Sequence, residues 1–262
     1  LDATYTGTNT LGAANTYSGA TTVNGGRLKG GVASVLPAAL TSGNLVLGAS
    51  GTFDMGGFVQ GTAGLVGSGT VDNSTGAGPF VFTVGTNLQS TTFSGVITNT
   101  VGTVALTKIG AGTLTLSGNS GYAGATIISV GGALNIQNTN ALGTTVGNTT
   151  VNSGGALQIQ GGITTAAEPL TLNGTGVAID GALRNISGDN TYAGLVTLGS
   201  ASRINSDSGT LSLSHAGTIT GAFGLTVGGT GHTTINSIIG TGVGTLTKDG
   251  AGTLTLAGTN TF

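Results

Sequence analysis

Short runs in which apolar and polar residues alternate recur along the whole chain. The clearest run lies in the segment 106–118, Leu-Thr-Lys-Ile-Gly-Ala-Gly-Thr-Leu-Thr-Leu-Ser-Gly, where Leu114 and Leu116 alternate with threonines. Because side chains in a β-strand point to opposite faces in turn, both leucines share one face and the threonines share the other. The pattern predicts a half-buried β-strand, and no run has helical spacing long enough to predict a helix.

The same segment returns at 246–258, where Leu254 and Leu256 hold the positions of the two leucines. The copies differ at only two positions, one of which exchanges Ile109 for Asp249. A sealed core would resist that exchange, so we predict that this position faces outward. Each copy also has a Gly-Ala-Gly corner, which we expect to turn the chain between two strands. The corner glycines are Gly110, Gly112, Gly250 and Gly252.

A second phrase, Asn-Thr-Tyr-Ser-Gly at 15–19, returns in altered form and carries an aromatic residue each time. Its fixed place in the repeat favours corner packing over a sugar-stacking platform, and the absence of tryptophan weakens the lectin alternative further. The preceding asparagines are interpreted as structural, because Asn tolerates left-handed backbone and can bond neighbouring amides. The aromatic residues are Tyr17, Tyr122, Tyr192 and Phe262, and the asparagines are Asn15, Asn119, Asn190 and Asn260.

The spacing of the alternating pairs indicates the length of a structural unit. Leu114, Leu134 and Leu157 each have an apolar partner two positions later. The intervals between these leucines are about 20–23 residues, which is close to one turn of a parallel β-helix with its three short strands and three corners. The pairs Leu170/Leu172, Val177/Ile179 and Leu183/Ile186 are interpreted as three successive strands of one coil.

The predicted fold is therefore all-β, a parallel β-helix or β-solenoid with roughly a dozen coils of about 20–23 residues. No shift in composition marks a linker, so we expect one continuous solenoid over residues 1–262, excised from a longer repetitive protein. The stretch 137–185 departs from the repeat and is either a diverged set of coils or an insertion.

Composition narrows the function classes. The 262 residues include 53 glycines and no cysteine, and 5% are charged. Glycine at this frequency fits low complexity or a β-fold with many corners, and the alternating apolar positions favour the second. A net charge of −2 leaves no basic stripe for nucleic acid. The apolar runs are far shorter than the roughly 20 residues that span a bilayer, so we expect no direct membrane insertion by this segment. Without cysteine there is no disulfide or thiol chemistry.

The run at 106–118, followed by Tyr122 and the phrase Ala-Thr-Ile-Ile-Ser-Val-Gly-Gly-Ala-Leu, resembles the autotransporter-associated β-strand repeat, also called the passenger-associated transport repeat. Segments such as 51–57, 64–71 and 92–97 resemble the parts between repeats in that family. The resemblance implies a right-handed parallel β-helix in the passenger of a type V secretion protein. It also implies an extracellular location at the surface of a Gram-negative-type bacterium.

The charged residues offer one dense region, formed by Asp180, Arg184, Arg203 and Asp207. Asp180 precedes Arg203 by the same interval that separates Arg184 from Asp207, about 23 residues, and this interval equals one coil. The spacing predicts two ion pairs between coils, each contributing about 0–1 kcal/mol if exposed. The alternative is a catalytic cluster of the kind found in β-helical enzymes that cleave polysaccharides.

Other candidate sites lack the context that their chemistry needs. The glycine-rich segment 64–69 is not followed by a helix, so it is interpreted as a corner and not as a phosphate loop. His215 and His232 have no other histidine or cysteine to complete a soft-metal site, and are interpreted as exposed or turn residues. We therefore predict no catalytic residue, no metal site and no cofactor.

Three functions are consistent with these features. The leading hypothesis is a non-enzymatic stalk or fibre segment of a surface protein that supports secretion and presents an adhesive face to a cell-surface glycan, a protein or another copy. Its other partners would be the neighbouring coils of the same polypeptide. A self-assembling extracellular filament is the second, and electron microscopy would test it. A polysaccharide-degrading enzyme is the third, and two or more carboxylates within about 10 Å in a groove would favour it.

Overall fold

The computed structural model describes residues 1–261 of the chain, as a parallel β-solenoid of about 11 turns. Phe262 lies outside the described residues. The fold class therefore agrees with the prediction. Residues 1–261 contain no helix with the length and hydrophobicity that a bilayer crossing requires.

The strands are short and follow one another along the whole described chain. The first are β1 (Thr8–Leu11), β2 (Thr21–Gly30), β3 (Leu45–Asp54), β4 (Gln60–Thr62), β5 (Leu65–Gly67), β6 (Thr70–Asp72), β7 (Phe80–Val84), β8 (Thr91–Phe93) and β9 (Val96–Ile97). The middle ones are β10 (Val104–Lys108), β11 (Thr113–Leu116), β12 (Thr126–Ile128), β13 (Ala133–Ile136), β14 (Thr149–Val151), β15 (Ala156–Gln160), β16 (Leu170–Gly174), β17 (Leu183–Ser187) and β18 (Asn190–Tyr192). The last are β19 (Val196–Ser206), β20 (Thr210–Leu213), β21 (Thr218–Ile219), β22 (Leu225–Gly228), β23 (His232–Ile235), β24 (Ile238–Ile239), β25 (Leu246–Lys248) and β26 (Leu254–Leu256).

These strands form three faces that the chain visits in a fixed order. Face A contains β4, β7, β10, β12, β14, β16, the start of β19, β21 and β24. Face B contains β2, β3, β5, β8, β11, β13, β15, β17, the end of β19, β22 and β25. Face C contains β1, the ends of β2 and β3, β6 and β9, and later β18, β20, β23 and β26.

The stacking predicted from spacing is confirmed on face B. Leu114 pairs with Leu134, and Leu134 pairs with Leu157, all in parallel register. These leucines are fully buried and belong to one hydrophobic core that runs through the interior. Burying one leucine side chain contributes about 1.5–3 kcal/mol, so each coil is stabilised mainly by the coil against which it packs.

The coils vary in length more than predicted. On face B, the chain segment between the paired residues Leu45 and Leu65 is shorter than the segment between Gly67 and its partner Phe93. The segment between Leu157 and its partner Leu183 is long as well. The corners absorb the extra residues, because the register of the core strands must be kept for the apolar side chains to stay inside.

The stretch 137–185 is a diverged set of coils, since β14, β15, β16 and β17 continue the stack. Within it, the expectation of a strand at Val177/Ile179 is wrong. Val177–Ile179 forms a three-residue 3₁₀ turn, and the side chain of Ile179 is 67% exposed. An apolar pair two residues apart predicted a strand here, but this segment is one of the long corners and has no strand to pair with.

Candidate functional site

The repeated segment 106–118 forms a strand, a tight corner and a second strand, β10 and β11. Leu114 and Leu116 point into the core and are buried, as the alternation predicts. In the second copy Leu254 is half-buried and Leu256 is exposed, because β26 pairs with β23 on one side and with no described strand on the other.

Glycine is required at the corner for two physical reasons. Gly110 and Gly112 have φ angles of 66° and 84°, in the left-handed region that favours glycine. A Cβ atom on Gly110 would also lie 2.4 Å from the carbonyl oxygen of Gly85 in the preceding coil. In the second copy, Gly250 has a φ of 69°, and a Cβ on Gly252 would meet the Gly231 oxygen. The corners therefore let neighbouring coils approach closely.

A lysine side chain binds the backbone of this corner, and its role was not predicted from the sequence. Lys108 is buried, and its Nζ donates to the carbonyl oxygens of Ile109 and Gly110 at 2.7 and 2.8 Å. Lys248 donates to the equivalent oxygens of Asp249 and Gly250. Burial lowers the pKa of Lys108 to about 8. The same lysine stands at the third position of both copies of the repeat, and this recurrence could have indicated its structural role.

The aromatic residues of the second phrase differ in burial. Tyr122 and Tyr192 are fully buried in the core, whereas Tyr17 is 41% exposed. The Tyr122 hydroxyl bonds the Thr126 hydroxyl at 2.7 Å, and Tyr192 donates to the backbone oxygen of Glu168 at 2.8 Å. Two of the three tyrosines in this phrase are therefore buried in the core, and Phe262 lies outside the described residues.

The asparagines of that phrase bond the neighbouring coils. The Asn190 Oδ1 accepts from the backbone N–H of Ile163 at 2.7 Å, and the Asn260 Oδ1 accepts from that of Ile239 at 2.8 Å. Asn119 accepts from the side chain of Asn140. These bonds supply partners for polar groups at the corners, where the strand ladders end.

A buried carboxyl group lies between the two buried tyrosines. Glu168 is 1% exposed, and its Oε1 accepts from the Thr149 hydroxyl at 2.7 Å, while its Oε2 has no hydrogen-bond partner in the described chain. Burial raises the pKa of Glu168 to about 7, and the Thr149 bond opposes the shift. Burial also raises the pKa of Tyr122 and Tyr192, with a contribution from the Glu168 charge. Glu168 stands alone in the sequence, with no neighbouring motif that indicates its burial.

The charged cluster is arranged differently from the prediction. Arg184 bonds Asp207 at 2.7 Å, the partner expected from spacing, and it also bonds Asp180 at 2.9 Å. The expected pair of Asp180 with Arg203 is not formed. Arg203 bonds Asp249 instead.

Register explains the difference. Leu183 of β17 pairs with Ile204 of β19, and this interval is shorter than the one that separates Asp180 from Arg203. Asp180 is the residue that ends the 3₁₀ turn before β17, so strand spacing does not describe its position. The arrangement pairs both arginines with carboxylates at the partly exposed surface of the solenoid.

Two further carboxylates meet around one arginine. Asp54 and Asp72 are paired neighbours on face C, and both accept from Arg27 Nη1, at 2.9 and 3.2 Å. Burial would raise the pKa of Asp54, but bonds from Ser74, Gly56 and Arg27 outweigh it and hold the pKa below its usual value.

Every carboxylate oxygen of these two aspartates already accepts a hydrogen bond. The Asp72 oxygens accept from the backbone and side chain of Thr100 as well as from Arg27. Both carboxylates are buried. They are close enough to satisfy the distance expected of a catalytic pair, but they are not open to a substrate.

Each histidine accepts one backbone hydrogen bond: His215 lies in a turn, whereas His232 is the exposed first residue of β23 and bonds the next coil. His215 Nδ1 accepts from the backbone N–H of Gly217 at 2.9 Å, and His232 Nδ1 accepts from that of Thr253 at 3.1 Å. Within residues 1–261, no group of three or more histidine, aspartate or glutamate residues is placed to hold a metal ion.

Comparison with known families gives one match. The model of the passenger-associated-transport-repeat family matches residues 1–29, 106–136 and 246–262. The second and third matches contain the two Gly-Ala-Gly corners, and the first contains Tyr17. No curated protein and no solved structure matched the chain.

Proposed function

We propose that this chain, a β-solenoid that carries passenger-associated transport repeats, forms the stalk of a surface-exposed passenger. The repeat family and the solenoid fit an autotransporter passenger region, in a protein that is secreted or displayed at the surface. The finer proposal is that this segment has a mechanical and non-enzymatic role: it extends the protein away from the cell and supports its secretion.

The continuous stack of core strands carries this proposal. Leu114 packs between Phe93-containing β8 and Leu134-containing β13, so each coil presents a ready surface for the next. A chain that emerges in an extended form can therefore fold one coil at a time, and each added coil buries apolar side chains against the previous one. Folding outside the cell would oppose return of the chain through a secretion pore.

The hydrogen bonds and ion pairs of the aspartates favour this role over polysaccharide cleavage. A glycosidase needs one carboxyl group to donate a proton and another to act as base or nucleophile at the sugar. Asp54 and Asp72 are fully occupied by Arg27, Ser74 and Thr100. The Asp180 and Asp207 carboxylates each bind the positively charged Arg184 through one oxygen.

The experiment compares two substitutions in one strand of the full-length protein in its native host. Leu114→Asp places a charge in the core, whereas Thr115→Asp places one on the outward face of β11. We expect the first to reduce surface display severalfold, measured by protease shaving of intact cells, and the second to leave it unchanged. Equal display of both variants, or wild-type protein that intact cells protect from protease, would contradict the proposal.

A further inference from the structure

A shallow pocket of about 410 Å³ lies on the side of the solenoid, between the segment that precedes β1 and strands β2 and β3. Its walls include one aromatic ring, one guanidinium group and four aliphatic hydroxyl groups. The side chains are those of Tyr5, Thr6, Thr8, Arg27, Ser50 and Thr52. This volume falls in the range of about 300–1,000 Å³ that small-molecule sites occupy.

Two glycines leave the space that the aromatic ring fills. A Cβ atom on Gly26 would lie 2.6 Å from Cδ1 of Tyr5, and one on Gly7 would lie 2.6 Å from its hydroxyl oxygen. Any larger residue at either position would push the ring away. The Tyr5 hydroxyl donates to Asn9 Oδ1 at 3.3 Å. The ring is half-buried and lines the pocket, so it offers an apolar face to a ligand.

The guanidinium group is positioned before any ligand arrives. Arg27 Nη1 is bound by the buried Asp54 and Asp72, while Nε and Nη2 have no acceptor within residues 1–261. One third of the Arg27 side chain is exposed, and it lines the pocket. Because the two carboxylates fix the plane of the guanidinium group, its unused N–H donors can bind a ligand oxygen with little loss of side-chain entropy.

The local charge indicates what kind of ligand fits. Two carboxylates face a single guanidinium group, so the site has no excess positive charge with which to hold a phosphate or a sulfate. The remaining polar lining consists of hydroxyl groups, which both donate and accept hydrogen bonds. A neutral molecule with many hydroxyl groups and one apolar C–H face satisfies the ring, the fixed donors and the rim together.

We propose that this pocket binds a neutral saccharide, with Tyr5 stacking on the sugar ring and Arg27 donating to its hydroxyl groups. Only the biological setting, exposure of the pocket at the cell surface, rests on the proposed function. Binding itself is a property of the purified chain, so its failure leaves the secretion role untouched, and a failure of the secretion experiment leaves the pocket untouched.

The test is a titration of the ¹⁵N-labelled chain, followed by NMR, with maltotriose, cellotriose and mannotriose as neutral probes and trigalacturonate as the anionic probe. We expect at least one neutral trisaccharide to shift the amide signals of Tyr5, Thr8 and Arg27 saturably, with millimolar affinity. Tyr5→Leu and Arg27→Lys should weaken that binding by about tenfold or more, which corresponds to about 1.4 kcal/mol. Thr8→Val should weaken it severalfold without disturbing the Arg27 contacts.

Tyr17→Leu is the matched control, because Tyr17 is also exposed and lies outside the pocket. It should bind as the wild type does. The proposal is overturned if none of the three neutral probes shifts the pocket signals, if Tyr5→Leu and Thr8→Val bind them unchanged, or if trigalacturonate occupies the pocket more tightly. The Thr8→Val result decides the question even if Arg27→Lys does not fold.

Discussion

Arg203 and Asp249 form a two-point ion pair that crosses two coils of the solenoid. Nη1 donates to Oδ2 at 2.7 Å and Nη2 donates to Oδ1 at 2.8 Å. Asp249 is the residue that replaces Ile109 in the second copy of the repeat. The exchange therefore follows from the neighbourhood, because the second copy lies above an arginine.

Restoring the first copy's residue, Asp249→Ile, should cost less than about 1 kcal/mol of unfolding free energy, since the carboxylate is half exposed. The loss should shrink at high salt, which screens exposed charges. Urea unfolding at low and high salt measures both effects. A double-mutant cycle with Arg203→Met isolates the pair, and a coupling energy of zero would show that it contributes nothing to stability.

Glu168 should make stability depend on pH. Its folded-state pKa of about 7 lies above the value of 4.5 expected when unfolded, so its favourable contribution is complete below about pH 4.5 and is lost as pH rises through 7. The size of this loss is on the order of 3 kcal/mol. Thermal unfolding between pH 4.5 and 8 should show it, and Glu168→Gln should remove most of the slope.

Asp189→Asn is the control for this experiment, because Asp189 is an exposed carboxylate in the same part of the solenoid. It should leave the pH dependence in place. If the Glu168→Gln protein keeps the slope of the wild type, another group is responsible and the assignment to Glu168 is wrong.

The two copies of the repeat allow a comparison of burial at constant sequence. Leu116 is 1% exposed and Leu256, at the equivalent position, is 37% exposed. Leu116→Ala should destabilise the chain by about 2–4 kcal/mol, because it removes buried methyl groups and leaves a cavity. Leu256→Ala should cost under about 1 kcal/mol. Urea midpoints compare the two, and similar losses would mean that β26 is packed as tightly as β11.

Gly110→Ala should be strongly destabilising, by about 1–3 kcal/mol or more, because the new methyl group meets the Gly85 oxygen and the φ of 66° is unfavourable. Gly12→Ala is the matched control, since no atom lies within 4 Å of its added Cβ and its φ is not in the positive range. Differential scanning calorimetry measures both. Equal melting temperatures would show that the corner can relax without cost.

The alternation of apolar and polar residues predicted the core strands, and their spacing predicted the approximate length of a coil. Alternation in 114–116, 134–136 and 157–159 indicated the stacking register directly, because a one-residue slip would expose every leucine. Prediction failed where chain length between strands varies. The 3₁₀ turn at Val177–Ile179 and the short interval between the paired residues Leu183 and Ile204 both follow from corners of unequal length.

The candidate sites were less predictable than the fold. The three residues of the Arg27, Asp54 and Asp72 cluster come from different coils, and their separations along the chain do not match one fixed coil length. The burial of Glu168 could not be predicted, because a single acidic residue outside any motif does not indicate whether it is buried or exposed. The role of Lys108 at the corner could have been predicted, since the same lysine recurs before both Gly-Ala-Gly corners.

The sequence by itself determined which residues face the core, where the chain turns and that the fold repeats, because these depend on strand alternation and on glycine geometry within a short segment. Only the tertiary structure decided which coil lies beside which position. That choice sets the partner of Arg203 and the burial of Glu168. The relative position of two coils depends on the lengths of all the corners between them. A short sequence pattern therefore cannot predict it.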